Sequence, residues 1–177
     1  MPGASTKSKA KYHAMFEDMA KYKKELTSIA NSSLRRGVPS RLRMAVFMRD
    51  GFIDRYTGDR LTFPGTLYLR CRDRKSFHPT RYRRKYPSID HVIAVTNGGA
   101  NVIDNYLSVS LQTNTIKINK TLDELGWTVQ PPGDLADWDG EINWFVDRVN
   151  TKNRLLRDAR IAQWYVAITA AVIPRSA

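Results

Sequence analysis

The feature that most constrains the fold is a β-rich segment followed by a glycine turn and then a helical segment. Residues 88–95 are rich in β-branched side chains, and the Asn-Gly-Gly sequence at 97–99 supplies the left-handed positions that a hairpin turn requires. A weaker extended stretch covers 102–107, and a helix is predicted from about Ser108 to Lys120. The sequence therefore predicts a ββα unit within an α+β fold.

Amphipathic helices are predicted on both sides of this unit. Apolar residues recur at intervals of three and four over 11–31, and a second short helix is expected to stop at Asp50-Gly51. After a loop rich in Gly, Pro and Trp, one or two helices are predicted near the C-terminus, and the four Trp are expected in the core. The predicted organisation is a flexible basic tail over 1–10 and one domain over 11–177, with N-terminal helices over 11–50, a core over 51–125, and a C-terminal loop and helices over 126–177.

The charge balance favours a polyanionic partner. The chain has 29 Lys and Arg against 17 Asp and Glu, which gives a net charge of +12. Neutralisation of phosphates supplies most non-specific affinity for nucleic acid. The densest positive segment is the basic loop 70–86, whose cations are expected to contact DNA: Arg70, Arg72, Arg74, Lys75, Arg81, Arg83, Arg84 and Lys85.

Cysteine content and hydropathy exclude several classes of protein. The single Cys excludes an internal disulfide framework and a zinc cluster built on two or more cysteines. The first thirty residues contain no apolar run of the kind found in signal peptides. The longest apolar stretch, 161–173, is too short to cross a bilayer. A cytoplasmic protein without a membrane partner is therefore expected.

Asp90, His91 and Asn114 form the most informative set of polar residues. Asp90 and His91 alternate faces at the end of the first predicted strand, while Asn114 lies on the helix that packs back against the hairpin. Phosphodiester hydrolysis requires a group that takes a proton from water, and an imidazole with a pKa near ~6.5 suits that task. It also requires a hard cation on oxygen ligands, which Asp90 and Asn114 offer. The set predicts a phosphodiesterase site.

The spacing of these residues, with Asn105 between them, resembles the HNH nuclease motif in the variant whose third member is Asn. This superfamily is also called ββα-metal or His-Me finger, and the resemblance covers roughly 45–125. It implies an α+β fold with a ββα-metal core and flanking helices, and cleavage of DNA to 5′-phosphate and 3′-hydroxyl ends. It further implies that Asp90 and Asn114 bind one Mg²⁺ or Mn²⁺ ion, that His91 is the general base, and that Asn105 braces the loop carrying His91.

The biological setting and the assembly are left open by the sequence. A restriction or defence role and a phage or mobile-element role both fit. One site of this kind cuts one strand, so double-strand cleavage takes two events or a homodimer formed through the N-terminal or C-terminal helices. Lys117 and Lys120, which follow the motif, are expected to face phosphate. The alternative function is a non-catalytic basic DNA- or RNA-binding protein whose ββα unit is a relic.

The chain departs from the motif at the structural zinc site. Many HNH domains carry two Cys-x-x-Cys pairs that bind zinc. The aligned positions here are Asp54 with Thr57, and Ser110 with Thr113, so no structural zinc is expected. Packing is expected to hold the first hairpin instead, through four apolar residues: Phe52, Tyr56, Leu61 and Phe63.

Overall fold

The computed structural model describes residues 40–71 and 78–172. The helices are α1 (Ser40–Arg49), α2 (Pro64–Cys71), α3 (Leu111–Lys117), α4 (Leu122–Leu125), α5 (Ile142–Thr151) and α6 (Ala159–Val172), and the strands are β1 (Pro87–His91) and β2 (Tyr106–Ser110). Short 3-10 turns lie at Pro79–Tyr82, Val95–Asn97, Ile103–Asn105 and Asn153–Arg157. Helices and a small sheet together give an α+β fold. Within the two described ranges, every helix is too short or too polar to cross a membrane.

The flanking helices agree with the sequence where the structure describes them. The helix predicted to stop at Asp50-Gly51 is α1, and the predicted C-terminal helices are α5 and α6. The helix predicted over 11–31 and the basic tail over 1–10 lie outside the described residues.

The two strands and α3 follow one another in the predicted order, with different boundaries. β1 and β2 pair antiparallel, with Ile89 opposite Ser108. Ser110 ends β2 and caps α3, because its hydroxyl accepts a hydrogen bond from the Thr113 N–H at 3.0 Å. The second strand therefore begins and ends later than the predicted stretch over 102–107, and the helix begins at Leu111 rather than near Ser108.

The Asn-Gly-Gly segment at 97–99 lies within a long loop, which corrects the prediction of a tight hairpin. Gly98 has the expected left-handed backbone, with φ of +84°. A Cβ atom on Gly99 would lie 1.8 Å from the carbonyl oxygen of Ile93, so this position requires Gly. The close approach folds the loop over 92–105 back against the end of β1.

The outer edge of β2 is paired by the segment that follows α1. The Ser108 N–H donates to Asp50 Oδ2 at 2.7 Å, and the Ser110 N–H donates to Asp54 Oδ2 at 2.9 Å. Between them, the Arg55 N–H donates to the Ser108 carbonyl at 2.9 Å. Both aspartates are buried. Two carboxylates thus satisfy backbone groups that an edge strand would otherwise leave unpaired.

The main core lies among α1, α5 and α6 and contains several aromatic rings. Phe63 packs edge-to-face on Phe145 and on Trp164, with centroid distances of 5.1 and 5.4 Å. A smaller cluster on the other side of the sheet joins Tyr56 to Leu107 and Val109. All four apolar residues predicted to hold the first hairpin are buried: Phe52, Tyr56, Leu61 and Phe63.

Candidate functional site

The polar residues singled out by the sequence meet around the end of β1. Asp90 and His91 are neighbours in the strand, so their side chains point to opposite faces of the sheet. Asp90 faces Tyr56 and α3. His91 faces Tyr106 and the long loop. The end of β1 is therefore flanked by a carboxylate on one side and an imidazole on the other.

The Asp90 carboxylate is bound through one of its two oxygens. Oδ2 accepts a hydrogen bond from the Tyr56 hydroxyl at 2.8 Å and pairs with the Lys117 ammonium at 3.1 Å. Burial raises the pKa of Asp90, and the bonds from Tyr56 and Lys117 partly offset that rise. Burial and the nearby Asp90 raise the pKa of Tyr56, so its phenol remains a donor. Among the described residues, none donates to Oδ1 of Asp90, which leaves that oxygen open to a ligand.

Asn114 presents a second open oxygen. Its amide nitrogen donates to Ser88 Oγ at 2.8 Å and to the Ile89 carbonyl at 3.1 Å. A carbonyl oxygen only accepts, so the contact with Ile89 fixes which end of the amide is the nitrogen. Within the described chain no donor reaches Asn114 Oδ1. These contacts attach the amide to the two residues that precede Asp90 in β1.

Lys117 is buried, which corrects the expectation that it faces phosphate. Its side chain is 0% exposed, and its ammonium donates to the His91 carbonyl at 2.7 Å besides pairing with Asp90. A buried carboxylate requires a counter-charge, and the last turn of α3 places Lys117 within reach. Lys120 lies beyond the helix and is exposed, so its predicted contact with phosphate stays a prediction.

His91 is held from one side by a residue of the long loop. Its Nε2 lies 2.9 Å from Oδ1 of Asn101, and its ring packs edge-on against Tyr106 with centroids 4.7 Å apart. The Tyr106 hydroxyl donates to the same Asn101 oxygen at 3.4 Å. An amide oxygen only accepts, so it favours the tautomer with the proton on Nε2 and a lone pair on Nδ1. In the described part of the chain Nδ1 has no partner. No pattern in the sequence distinguishes Asn101, which is one polar residue among several in a loop.

Asn105 ties the loop to the residues that follow His91. Its Oδ1 accepts from the Ile93 N–H at 2.9 Å, and its Nδ2 donates to the carbonyls of Ile93 and Ala100, each at 2.9 Å. One side-chain amide thus holds two distant points of the loop. Asn105 therefore holds the loop that follows His91, and its part in a nuclease site stays a prediction.

The cations of the basic loop fall in three places. Arg70 belongs to α2. The turn that precedes β1 lies at the N-terminus of α3, where the carbonyls of Arg83 and Tyr86 accept from the N–H groups of Gln112 and Leu111 at 2.9 and 2.8 Å. The exposed cations around this turn are Arg81, Arg83, Arg84 and Lys85. Three further predicted DNA contacts lie outside the described residues: Arg72, Arg74 and Lys75.

The four positions aligned with zinc-binding cysteines also converge. Asp54 Oδ2 accepts from the Ser110 N–H at 2.9 Å and from the Thr113 hydroxyl at 2.5 Å. Asp54 Oδ1 accepts from the Thr57 N–H at 3.3 Å. The carboxylate therefore joins the turn after α1 to β2 and α3. The prediction from the sequence was that packing alone holds the first hairpin. The small polar residues at all four aligned positions could have indicated these hydrogen bonds.

The open oxygens of Asp90 and Asn114 fit a hard divalent cation. Mg²⁺ takes oxygen ligands, keeps several waters and accepts phosphate oxygens in its remaining positions. Within 40–71 and 78–172, no three His, Cys, Asp or Glu side chains form a group able to hold a metal. A cation at this site would therefore depend on one carboxylate, one amide and non-protein ligands.

Comparison with known proteins leaves the site to be interpreted from its own chemistry. No protein-family model, no curated protein and no solved structure matches the chain.

Proposed function

We propose that the protein is a metal-dependent endonuclease of the HNH type that hydrolyses phosphodiester bonds in DNA. One observation carries the proposal: the end of β1 holds both Asp90 and the open Nδ1 of His91, and the Asn114 amide is hydrogen-bonded to the carbonyl of Ile89 in the same strand. In this proposal β1, β2 and α3 are the ββα-metal core. The net charge of +12 supports an anionic substrate.

His91 acts on the attacking water in the proposed reaction. Nδ1 takes a proton from the water as the water oxygen forms a bond to phosphorus and the bond from phosphorus to the 3′ oxygen breaks. The leaving oxygen takes a proton from solvent, and the products are a 5′-phosphate and a 3′-hydroxyl. The Asn101 amide oxygen accepts a hydrogen bond from the Nε2–H of His91 and so leaves Nδ1 as the basic nitrogen, while Asn105 fixes the loop that carries Asn101.

Asp90 and Asn114 would hold the divalent cation, Mg²⁺ or Mn²⁺, which when bound offsets the charge that develops on the phosphate and the leaving oxygen. Tyr56 and Lys117 both bind Asp90 through Oδ2. They fix the orientation of the carboxylate and leave Oδ1 for the cation.

The ion pair between Lys117 and Asp90 also favours a second function. The ammonium neutralises the carboxylate and weakens its attraction for a cation. A non-catalytic DNA- or RNA-binding protein with a relic ββα unit would tolerate such a pair. It would bind nucleic acid in EDTA and cleave it in no divalent metal.

Supercoiled plasmid separates the two functions. We expect nicked circles in Mg²⁺ or Mn²⁺, no cleavage in EDTA, and 5′-phosphate ends on sequencing. A gel shift in EDTA measures binding in the same preparation. Binding without cleavage in every divalent metal tested would establish the second function.

Cuts with a constant stagger between strands would support a homodimer, and single-strand nicks alone would count against one.

The Asn101→Asp variant tests how His91 is held. A carboxylate 2.9 Å from Nε2 stabilises the protonated imidazole, so His91 becomes a free base only at higher pH. The acidic limb of the pH–rate profile for plasmid nicking is expected to move to higher pH. Asn97→Asp is the matched control, because Asn97 lies in the same loop and bonds the Asn119 carbonyl instead. Identical profiles for the two variants would refute the role of Asn101.

A further inference from the structure

A cleft of about 660 Å³ lies between α2, α5 and the 3-10 turn at Asn153–Arg157. None of these elements belongs to the proposed core of β1, β2 and α3. Two leucines and one indole line the cleft, and every other described lining residue is a cation: Arg70, Arg148, Lys152, Arg154 and Arg157. The cleft is thus a concentrated positive surface. Of its five cations, only Arg70 is among the DNA contacts predicted from the sequence.

Most of this positive charge has no counter-charge within the described part of the chain. Arg70 pairs with Glu141 at 3.1 Å. Among the described residues, no carboxylate forms an ion pair with any of the other four cations, all of which are exposed. The helix dipole of α5 favours cations at its C-terminal end, which accounts for Arg148 and Lys152 but not for Arg154 and Arg157. Like charges in a concave surface repel, so a ligand that carries several negative charges would be bound there.

Trp144 gives the cleft an aromatic surface. The sequence placed this residue in the core, but α5 buries Ile142, Phe145 and Val149 and leaves Trp144 38% exposed. The Arg70 guanidinium lies over the indole ring, 4.8 Å from its centroid. Cations beside an exposed aromatic ring are the features with which proteins hold single-stranded nucleic acid, since phosphates bind the cations and bases stack on the ring.

We propose that this cleft binds single-stranded DNA, with phosphates on the cations and a base stacked on Trp144. The choice of DNA rests on the proposed function. The volume falls within the roughly 300–1,000 Å³ of sites that enclose a ligand, which suits a few nucleotides of one strand rather than a duplex. The cleft would thus hold an unpaired part of the substrate apart from the cleavage site.

Fluorescence anisotropy in EDTA tests the cleft without cleavage. The probes are a labelled DNA single strand, the same strand in a duplex, and an RNA single strand of the same sequence, each titrated at several salt concentrations. Losing two phosphate contacts in Arg148→Gln/Arg154→Gln is expected to lower the salt slope for the single strand by about 1.4. Trp144→Ala is expected to weaken single-strand binding by about tenfold, which is the contribution of one stacked base, and to spare duplex binding.

The matched control removes the same charge elsewhere. Arg60→Gln/Arg160→Gln changes two cations that stack on Trp138 and Tyr68, outside the cleft lining. Equal losses in the two double variants would overturn the proposal, as would unchanged single-strand binding in Trp144→Ala or tighter binding of an RNA single strand. A wild-type protein that fails to cleave plasmid would overturn the nuclease function and leave this binding result standing. Cleft variants that bind the strand as the wild type does would overturn the cleft alone.

Discussion

Replacing His91 with alanine is expected to lower the rate of DNA cleavage by about 10²–10⁴-fold, the usual contribution of a general base. The fold should survive, because the side chain is only partly buried and contacts Asn101 and the edge of Tyr106. An aromatic pair is worth about 0.5–1.5 kcal/mol, so the melting temperature should fall by only a few degrees. Plasmid nicking in Mg²⁺ and thermal unfolding measure the two effects.

His78→Ala provides the matched control for this loss. His78 is exposed, and its ring contacts the Thr80 hydroxyl at 2.7 Å, away from the residues around β1. The control should cleave at the wild-type rate. Undiminished cleavage by His91→Ala would remove His91 from the reaction. Equal losses in both variants would point to an indirect effect of losing an imidazole.

The arrangement at the end of β1 was predictable because much of it is local in sequence. Strand alternation alone puts Asp90 and His91 on opposite faces, and a helix that follows a hairpin packs back on it. The positions of Asn105 and Asn114 follow from those two facts. The same reasoning was too coarse for the loop, where close contact between Gly99 and Ile93 replaced the expected tight turn.

The hydrogen-bond and ion-pair partners of the predicted residues were not predictable, because each partner depends on how segments distant in sequence pack together. Lys117 resembles any cation at the end of a helix, and only the burial of Asp90 makes it an ion-pair partner. Asn101 contacts His91 because the loop folds back over the strand. The exposure of Trp144 depends on which face of α5 packs against the core. A hydrophobic pattern does not carry this information.

Asp54 illustrates the same limit at the four positions aligned with zinc-binding cysteines. The sequence correctly identified the four apolar residues that are buried around the first hairpin. It did not indicate that one carboxylate would accept hydrogen bonds from the positions at which many HNH domains carry cysteine. A zinc ion joins such segments by bonds to four ligands, whereas Asp54 joins them by accepting hydrogen bonds on two oxygens.

The Asp54→Ala substitution is therefore expected to destabilise the protein by about 3–5 kcal/mol. The carboxylate is 1% exposed and accepts from the Ser110 N–H, the Thr113 hydroxyl and the Tyr56 N–H at 2.9, 2.5 and 3.0 Å. Each buried donor left without a partner costs about 1–3 kcal/mol. Urea-induced unfolding measures the loss, and Asp54→Asn should cost less, at roughly 2 kcal/mol, because it keeps the volume and one acceptor oxygen.

Asp59→Ala is the matched control, because it removes a different carboxylate from the same turn. Asp59 is exposed, so its replacement should change the free energy of unfolding by no more than about 0.5 kcal/mol. If Asp54→Ala were as mild, packing around Phe52 and Phe63 would be sufficient to hold the turn. If the large loss is found, the hydrogen bonds to Asp54 hold the turn to β2 and α3. That result would make Asp54 the residue that joins the turn after α1 to the strand and helix beside the end of β1.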